Sequence, residues 1–506
     1  MSRRVLAAAV LALSLLGAGL ASASPVHRDS THEPTALQLL AAGVLPTNCY
    51  APAGNPDPTT DIAAWQARDI QNELCSTQRL TDEVSNPAFV RLSGMEVAGY
   101  EPNQIFSELN DPRVRSWGGF LVAGGDPFRT PTRWTAAARG QYQEFTFIST
   151  TGAKLQAELY SPMPHPGARY PIVTFTPGLQ ESKEQAWWYG EGVAEAGYVV
   201  LVIDPQGQGD SEVTSHDTNP SKKCNPLCGF PTNDLAETEA AVDFAVSTPA
   251  HPYKYGAGPN GKHTLQFNPL WREVDRHELG IAGHSLGATA VTPIGQADPR
   301  VKAVISYDNL DDAIPTYLAP KIHAPTLWFG TDYVFPTFAT PKIPGGHLNP
   351  EQHWPGFNQL RKAGVDTMTI TPRASTHYEW DQQSAAGALP ASRYGQITSL
   401  YYTIAWYDRY LKHSTVALRR LTAKQYDDSA DVHSIGGGTY DLAAALADPT
   451  DPTAGNVPYT IAGMCVANTM SFYYASAYWL DHGEDQSANM RNRDCAATEQ
   501  ADGASL

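Results

Sequence analysis

The chain has 506 residues, with 35 lysines and arginines against 52 aspartates and glutamates, for a formal charge of −17. Such an acidic balance argues against electrostatic binding to nucleic acid or to an anionic membrane surface. The length permits a large core and two or three domains.

The chain opens on Met1-Ser2-Arg3-Arg4, an apolar run from Val5 to Leu20, and then Ala21-Ser22-Ala23. A positive start, an apolar middle and a small-residue end are the layout of a secretory signal peptide, here residues 1–23. The run is shorter than a usual membrane span, and Ser2-Arg3-Arg4 partly matches a twin-arginine signal. No later segment is apolar for long enough to cross a membrane, so we expect a secreted, extracellular protein without stable membrane insertion. The even set of six cysteines suits that compartment. They fall into three local pairs, Cys49–Cys75, Cys224–Cys228 and Cys465–Cys495, which we expect to be disulfides. Their spacings match no zinc pattern, and no Cys/His/Asp cluster elsewhere has metal-ligand spacing, so no metal and no cofactor is expected.

Residues 24–140 carry no recognisable chemistry and are expected to pack on the core as an N-terminal extension. A short helix is read around Thr35–Ala42. Asp61 can cap another, with Ile62, Trp65, Ile70 and Leu74 on one side, ending near Cys75. From Tyr142 the pattern changes. Glu144–Ser149, the turn Thr151-Gly152 and Lys154–Tyr160 read as a β-hairpin. Tyr170–Thr176 is a buried strand leaving through Pro177-Gly178-Leu179-Gln180. A helix follows around Lys183–Ala196, whose Trp187, Trp188 and Tyr189 suit the core better than a substrate cleft. Tyr198–Ile203 is nearly all apolar, as a central parallel strand covered on both faces must be. Residues 212–231 form a polar excursion, and Asn233 or Asp234 caps a helix through Val246.

Glu278–Ala282 then reads as a short buried strand and Ala288–Val291 as the start of a helix, limited or kinked by Pro293. Between them stands Gly283-His284-Ser285-Leu286-Gly287, a G-x-S-x-G nucleophile-elbow pattern. A serine there occupies a tight strand-to-helix turn. The glycines leave room where backbone approaches backbone. The helix N-terminus supplies positive dipole and free N–H groups where an oxyanion would form. His284 is expected to pack beside the elbow rather than act as a base. Further strands are Val301–Tyr307, ending at Asp308, then Ala324–Gly330 and Asp366–Thr371, whose exit loop holds Ser375-Thr376-His377-Tyr378. Gln396–Leu411 reads as a closing helix. Residues 413–506 continue as a C-terminal extension, in which the aromatic stretch Phe472–Trp479 is expected to cap the core.

Val274-Asp275-x-x-x-x-Gly280-Ile281-x-Gly283-His284-Ser285-Leu286-Gly287 resembles the approach to the nucleophile in the α/β-hydrolase superfamily. The likeness is to secreted bacterial esterases of the dienelactone-hydrolase, PAF-acetylhydrolase and cutinase type. It covers roughly 140–412 and neither end of the chain. It implies a mostly parallel sheet flanked by helices, with residues 141–412 as the catalytic domain. The turn Asp204–Ser211 is similar to the family's Asp-x-Arg-Gly-x-Gly-x-Ser, with Gln206 in place of Arg. The resemblance implies oxyanion-hole amides at Leu179 and at Leu286. It also implies the chain order nucleophile Ser285, acid Asp332, base His377. Asp308 competes for the acid, since some members use that position; the Gly330-x-Asp332 setting favours Asp332.

A serine hydroxyl needs an imidazole to take its proton, and the imidazole needs a carboxylate to hold its tautomer. The expected activity is therefore hydrolysis of small-molecule or polymeric carboxylic esters through an acyl-enzyme on Ser285. An amidase or peptidase on the same residues, and a binding protein that keeps the fold, remain as alternatives.

Overall fold

The computed structural model describes residues 49, 62–85, 87–88, 91, 125–126, 128–179, 181–212, 231–255, 264–309, 313–335, 338–339, 354–381, 393–427, 437–440, 442–447, 456–458 and 460–475. The signal-peptide segment, the helix expected at 35–42, Cys224, Cys228 and Cys495 lie outside these residues.

An α/β architecture follows from the alternation of apolar strands with helices. The sheet strands are β1 (Gln141–Ile148), β2 (Lys154–Ser161), β3 (Tyr170–Thr176), β4 (Val199–Ile203), β5 (Val274–His284), β6 (Val301–Tyr307), β7 (Thr326–Phe329), β8 (Thr367–Pro372) and β9 (Met470–Ala475). They form one nine-stranded sheet in the order β1-β2-β4-β3-β5-β6-β7-β8-β9. The run from β4 to β8 pairs in parallel, whereas β2 is antiparallel to both its neighbours and β9 is antiparallel to β8. Every residue of β4 is buried, as a strand covered on both faces requires.

The helices used below are α1 (Ile62–Ser85), α2 (Trp187–Glu195), α3 (Pro231–Ala245), α4 (Leu286–Ala297), α5 (Trp354–Lys362) and α6 (Arg393–Tyr410). One apolar cluster sets Trp188, Tyr189, Val193, Leu400, Tyr401 and Tyr407 of α2 and α6 against β3, β6 and β8. A second sets Ala241, Phe244, Val291 and Ile294 of α3 and α4 against β2, β4, β5 and β6. Two helical layers thus enclose the sheet. Trp188 and Tyr189 are almost wholly buried and belong to the core.

α4 carries Pro293 inside it and ends at Ala297, about three turns from its start. Two expectations shift. β5 is eleven residues long and begins at Val274, because Val274 itself enters the core ahead of the polar Asp275–Glu278 stretch. α1 runs past Cys75 to Ser85, since a disulfide leaves helical backbone bonds intact and no Gly or Pro interrupts the stretch.

Both flanking segments bear on the core. The C-terminal one contributes the edge strand β9, with Ile370 opposite Tyr473. From α1, Arg79 donates to the Arg373 carbonyl at 2.5 Å and lies 3.9 Å above the Tyr394 ring. Arg373 Nε donates in turn to Asn72 Oδ1 at 2.6 Å. Cys49 and Cys75 are joined, and Cys465 is also disulfide-bonded.

The Cys49–Cys75 bridge closes 26 positions of sequence, which stabilises by about 3.5 kcal/mol on the loop-entropy account. Replacing both cysteines with serine should lower the melting temperature by several degrees. A scanning calorimetry trace unchanged by the double substitution would contradict this.

Candidate active site

Ser285 leaves β5 with φ 51° and ψ −114°, a conformation that non-glycine residues rarely hold. It persists because the neighbours fix it. Ser285 N–H donates to the Tyr307 carbonyl at 2.9 Å on the adjacent strand. A Cβ on Gly283 would meet the Gly287 carbonyl at 2.6 Å, and one on Gly287 would meet the Thr176 carbonyl at 2.0 Å. Both positions therefore need glycine. Leu286 is the first helical residue of α4, so its N–H has no acceptor within the helix.

His377 begins a short helical turn after β8. Its Nε2 lies 2.9 Å from Ser285 Oγ. Its Nδ1–H donates to Asp308 Oδ2 in a very short contact. With Nδ1 committed as donor, Nε2 of the neutral ring is free to accept the serine proton. Asp308 directly follows β6 in a left-handed conformation, φ 45°, which Asp tolerates better than most residues. Its Oδ2 also accepts from Thr331 Oγ1 at 3.0 Å.

Burial opposes a charge on His377, but the hydrogen bond and charge of Asp308, helped by Glu181, outweigh it. The His377 pKa is raised above its ordinary 6.5. A general base works only when deprotonated. The acidic limb of kcat/KM should therefore have its midpoint above pH 6.5 and move down in Asp308→Asn. A limb at or below the ordinary histidine value in the wild type would contradict the geometry.

Asp332, expected as the acid, does not hold His377. Its Oδ2 accepts from Ala374 N–H at 2.8 Å, Ser471 Oγ at 2.6 Å and Asn72 Nδ2 at 3.5 Å. The reason is register. β6 pairs directly with β5 and places Tyr307 opposite His284, so Asp308 emerges beside the serine. Asp332 leaves β7, one strand further out. The Gly330-Thr331-Asp332 loop reaches the site through Thr331, while Asp332 turns back to secure the segment leading to His377.

His284 is fully buried. Its Nε2–H donates to the His377 carbonyl at 2.8 Å, and the two rings lie 4.8 Å apart. Among the expected oxyanion donors, Leu286 is placed as described. Leu179 stands exposed on the turn after β3, and the neighbouring Gly178 lies against Ser285. Composition and spacing carried no sign of Glu181 or Gln208, which also border this turn. The buried cation beside the Asp204–Ser211 turn is Lys183, 3.2 Å from Asp204 and 2.9 Å from Asp210. Gln206 instead accepts from Thr151 Oγ1 at 2.8 Å. Among the described residues, no group of three His, Cys, Asp or Glu side chains is arranged to hold a metal.

No family model matches the chain. Over 177 residues, 35% of this chain, it is 28% identical to an uncharacterized protein of Pseudomonas aeruginosa, and the match spans 38% of that protein's length.

Proposed function

We propose that the chain is a secreted serine hydrolase of α/β-hydrolase type that cleaves carboxylic esters through an acyl-enzyme on Ser285. The observation that carries this reading is the chain of contacts Ser285 Oγ–His377 Nε2–Asp308 at a strained strand-to-helix turn. His377 takes the proton as Ser285 Oγ attacks the ester carbonyl. Asp308 holds the tautomer and stabilises the imidazolium. The oxyanion is met by the N–H groups of Leu286 and Leu179 at the positive end of α4. His377 then protonates the leaving alkoxide, and water deacylates Ser285 by the same route in reverse.

An antiparallel hairpin ahead of a parallel sheet, with serine on the turn after β5, supports the family reading. The Cys49–Cys75 bridge supports an oxidising compartment, and no helix among the described residues is long and apolar enough to cross a membrane. A panel of p-nitrophenyl acyl esters of graded chain length, run beside aminoacyl amides, tests the reaction class. Ester turnover exceeding amide turnover is expected. The reverse order would assign an amidase or peptidase.

A further inference from the structure

Gly178 sits where the turn after β3 touches the nucleophile. A Cβ placed there would come 2.8 Å from Ser285 Cβ and 2.5 Å from Glu181 Oε1. Both polar groups of Gly178 are held. Its N–H donates to Glu181 Oε2. Its carbonyl accepts from Gln208 Nε2 at 3.0 Å and from Glu181 N–H at 3.3 Å. Gln208 is itself buried and fixed in the turn after β4, with its N–H on the Pro205 carbonyl at 2.9 Å. In a trans peptide, the carbonyl of one residue and the N–H of the next share a plane and point in opposite directions. Among the described residues, which include Gly178 and Leu179, no peptide bond is cis. Holding the Gly178 carbonyl therefore fixes the direction of the Leu179 N–H. The other Glu181 oxygen lies 2.6 Å from His284 Nδ1, close but off the direction of a ring hydrogen bond. Since His284 in turn holds the His377 carbonyl, one carboxylate touches the oxyanion turn and the elbow together.

We propose that Gln208 and Glu181 are positioning residues that clamp the Gly178–Leu179 peptide and aim the Leu179 N–H at the oxyanion. This rests on the serine-hydrolase reading of Ser285. Neither side chain touches substrate. Gln208 acts on the carbonyl side of the peptide, and Glu181 acts on the amide that precedes it.

The test compares Gln208→Leu, Gln208→Glu, Glu181→Met and Glu181→Gln in the full chain. Active sites are counted by fluorophosphonate titration, so that misfolded molecules drop out. For each variant, kcat per titrated site, KM, and the affinity for a trifluoromethyl ketone are measured; this inhibitor forms a tetrahedral adduct carrying an oxyanion. Loss of a whole oxyanion donor costs about 10²–10³ in kcat. A misaimed one should cost roughly 10- to 100-fold, with KM within about 3-fold and ketone affinity falling by the same factor as kcat. Gln208→Leu and Glu181→Met should behave so. Gln208→Glu keeps the volume without the donor and covers the case in which Leu does not fold. Glu181→Gln retains an acceptor for Gly178 N–H and should stay within about 5-fold of wild type. Unchanged kcat per site in either Gln208 variant would overturn the proposal, as would a fall in kcat with full ketone affinity or a Glu181→Gln as impaired as Glu181→Met. A wild type that neither labels nor turns over esters would instead overturn the reading of Ser285.

Discussion

Ser285→Ala should abolish ester turnover, lowering kcat by about 10⁴- to 10⁶-fold while the fold survives. Only the hydroxyl group is removed, and among the described residues its oxygen hydrogen-bonds to His377 alone. Ser285 N–H keeps its bond to Tyr307, and Leu286 still opens α4. Alanine also keeps the positive φ and its strain. Ser285→Gly, freed of the Cβ, should therefore be more stable than Ser285→Ala by about 1–2 kcal/mol, though just as inactive. Turnover assays and urea unfolding of the two variants check both statements. An alanine variant that kept wild-type turnover would remove Ser285 from the chemistry. A glycine variant less stable than alanine would remove the strain.

Asp308→Asn should reduce kcat by about 10⁴-fold, as the corresponding change does in the serine-protease triad. Asparagine can still contact Nδ1, but its N–H₂ group favours the tautomer with the proton on Nε2, and that ring cannot accept from Ser285. Thr331 Oγ1, which donates to this same atom in the wild type, can turn its hydroxyl and accept from the N–H₂ group instead, so folding should be little affected. Asp332→Asn should cost less than about 10-fold in kcat. Its partners include the Ala374 amide, Ser471 and Asn72, and an amide oxygen still accepts from the first of them. Its cost should appear instead as a lower melting temperature, because a buried polar cluster loses part of its pairing. Parallel kinetics of the two variants decide the assignment. A crippled Asp332→Asn beside a nearly silent Asp308→Asn would return the acid to the outer strand.

The contrast between these two aspartates marks how far the sequence could be read. The run of buried strands and the elbow at Gly283–Gly287 were legible, since they follow from local apolar pattern and from the small-residue needs of a tight turn. So was His377, placed by its loop after β8. What the chain could not reveal was which loop reaches the imidazole. Gly330-x-Asp332 and Tyr307-Asp308 are both strand exits. The choice depends on the pairing of β6 with β5 and on the left-handed backbone at Asp308. Neither is encoded in local periodicity. The same holds for Gln208 and Glu181, whose contacts with Gly178 join separate segments. Asn72 reaches Asp332 across 260 positions of sequence, so the N-terminal segment, read as chemically silent, helps hold the loop that carries His377.

The most direct measurement is peptide mapping of the wild-type protein after reaction with a fluorophosphonate. A single adduct on Ser285, lost when the protein is denatured before labelling, is the result expected of a serine activated by His377 and Asp308. No adduct on the folded protein, or an adduct on another serine, would contradict the account.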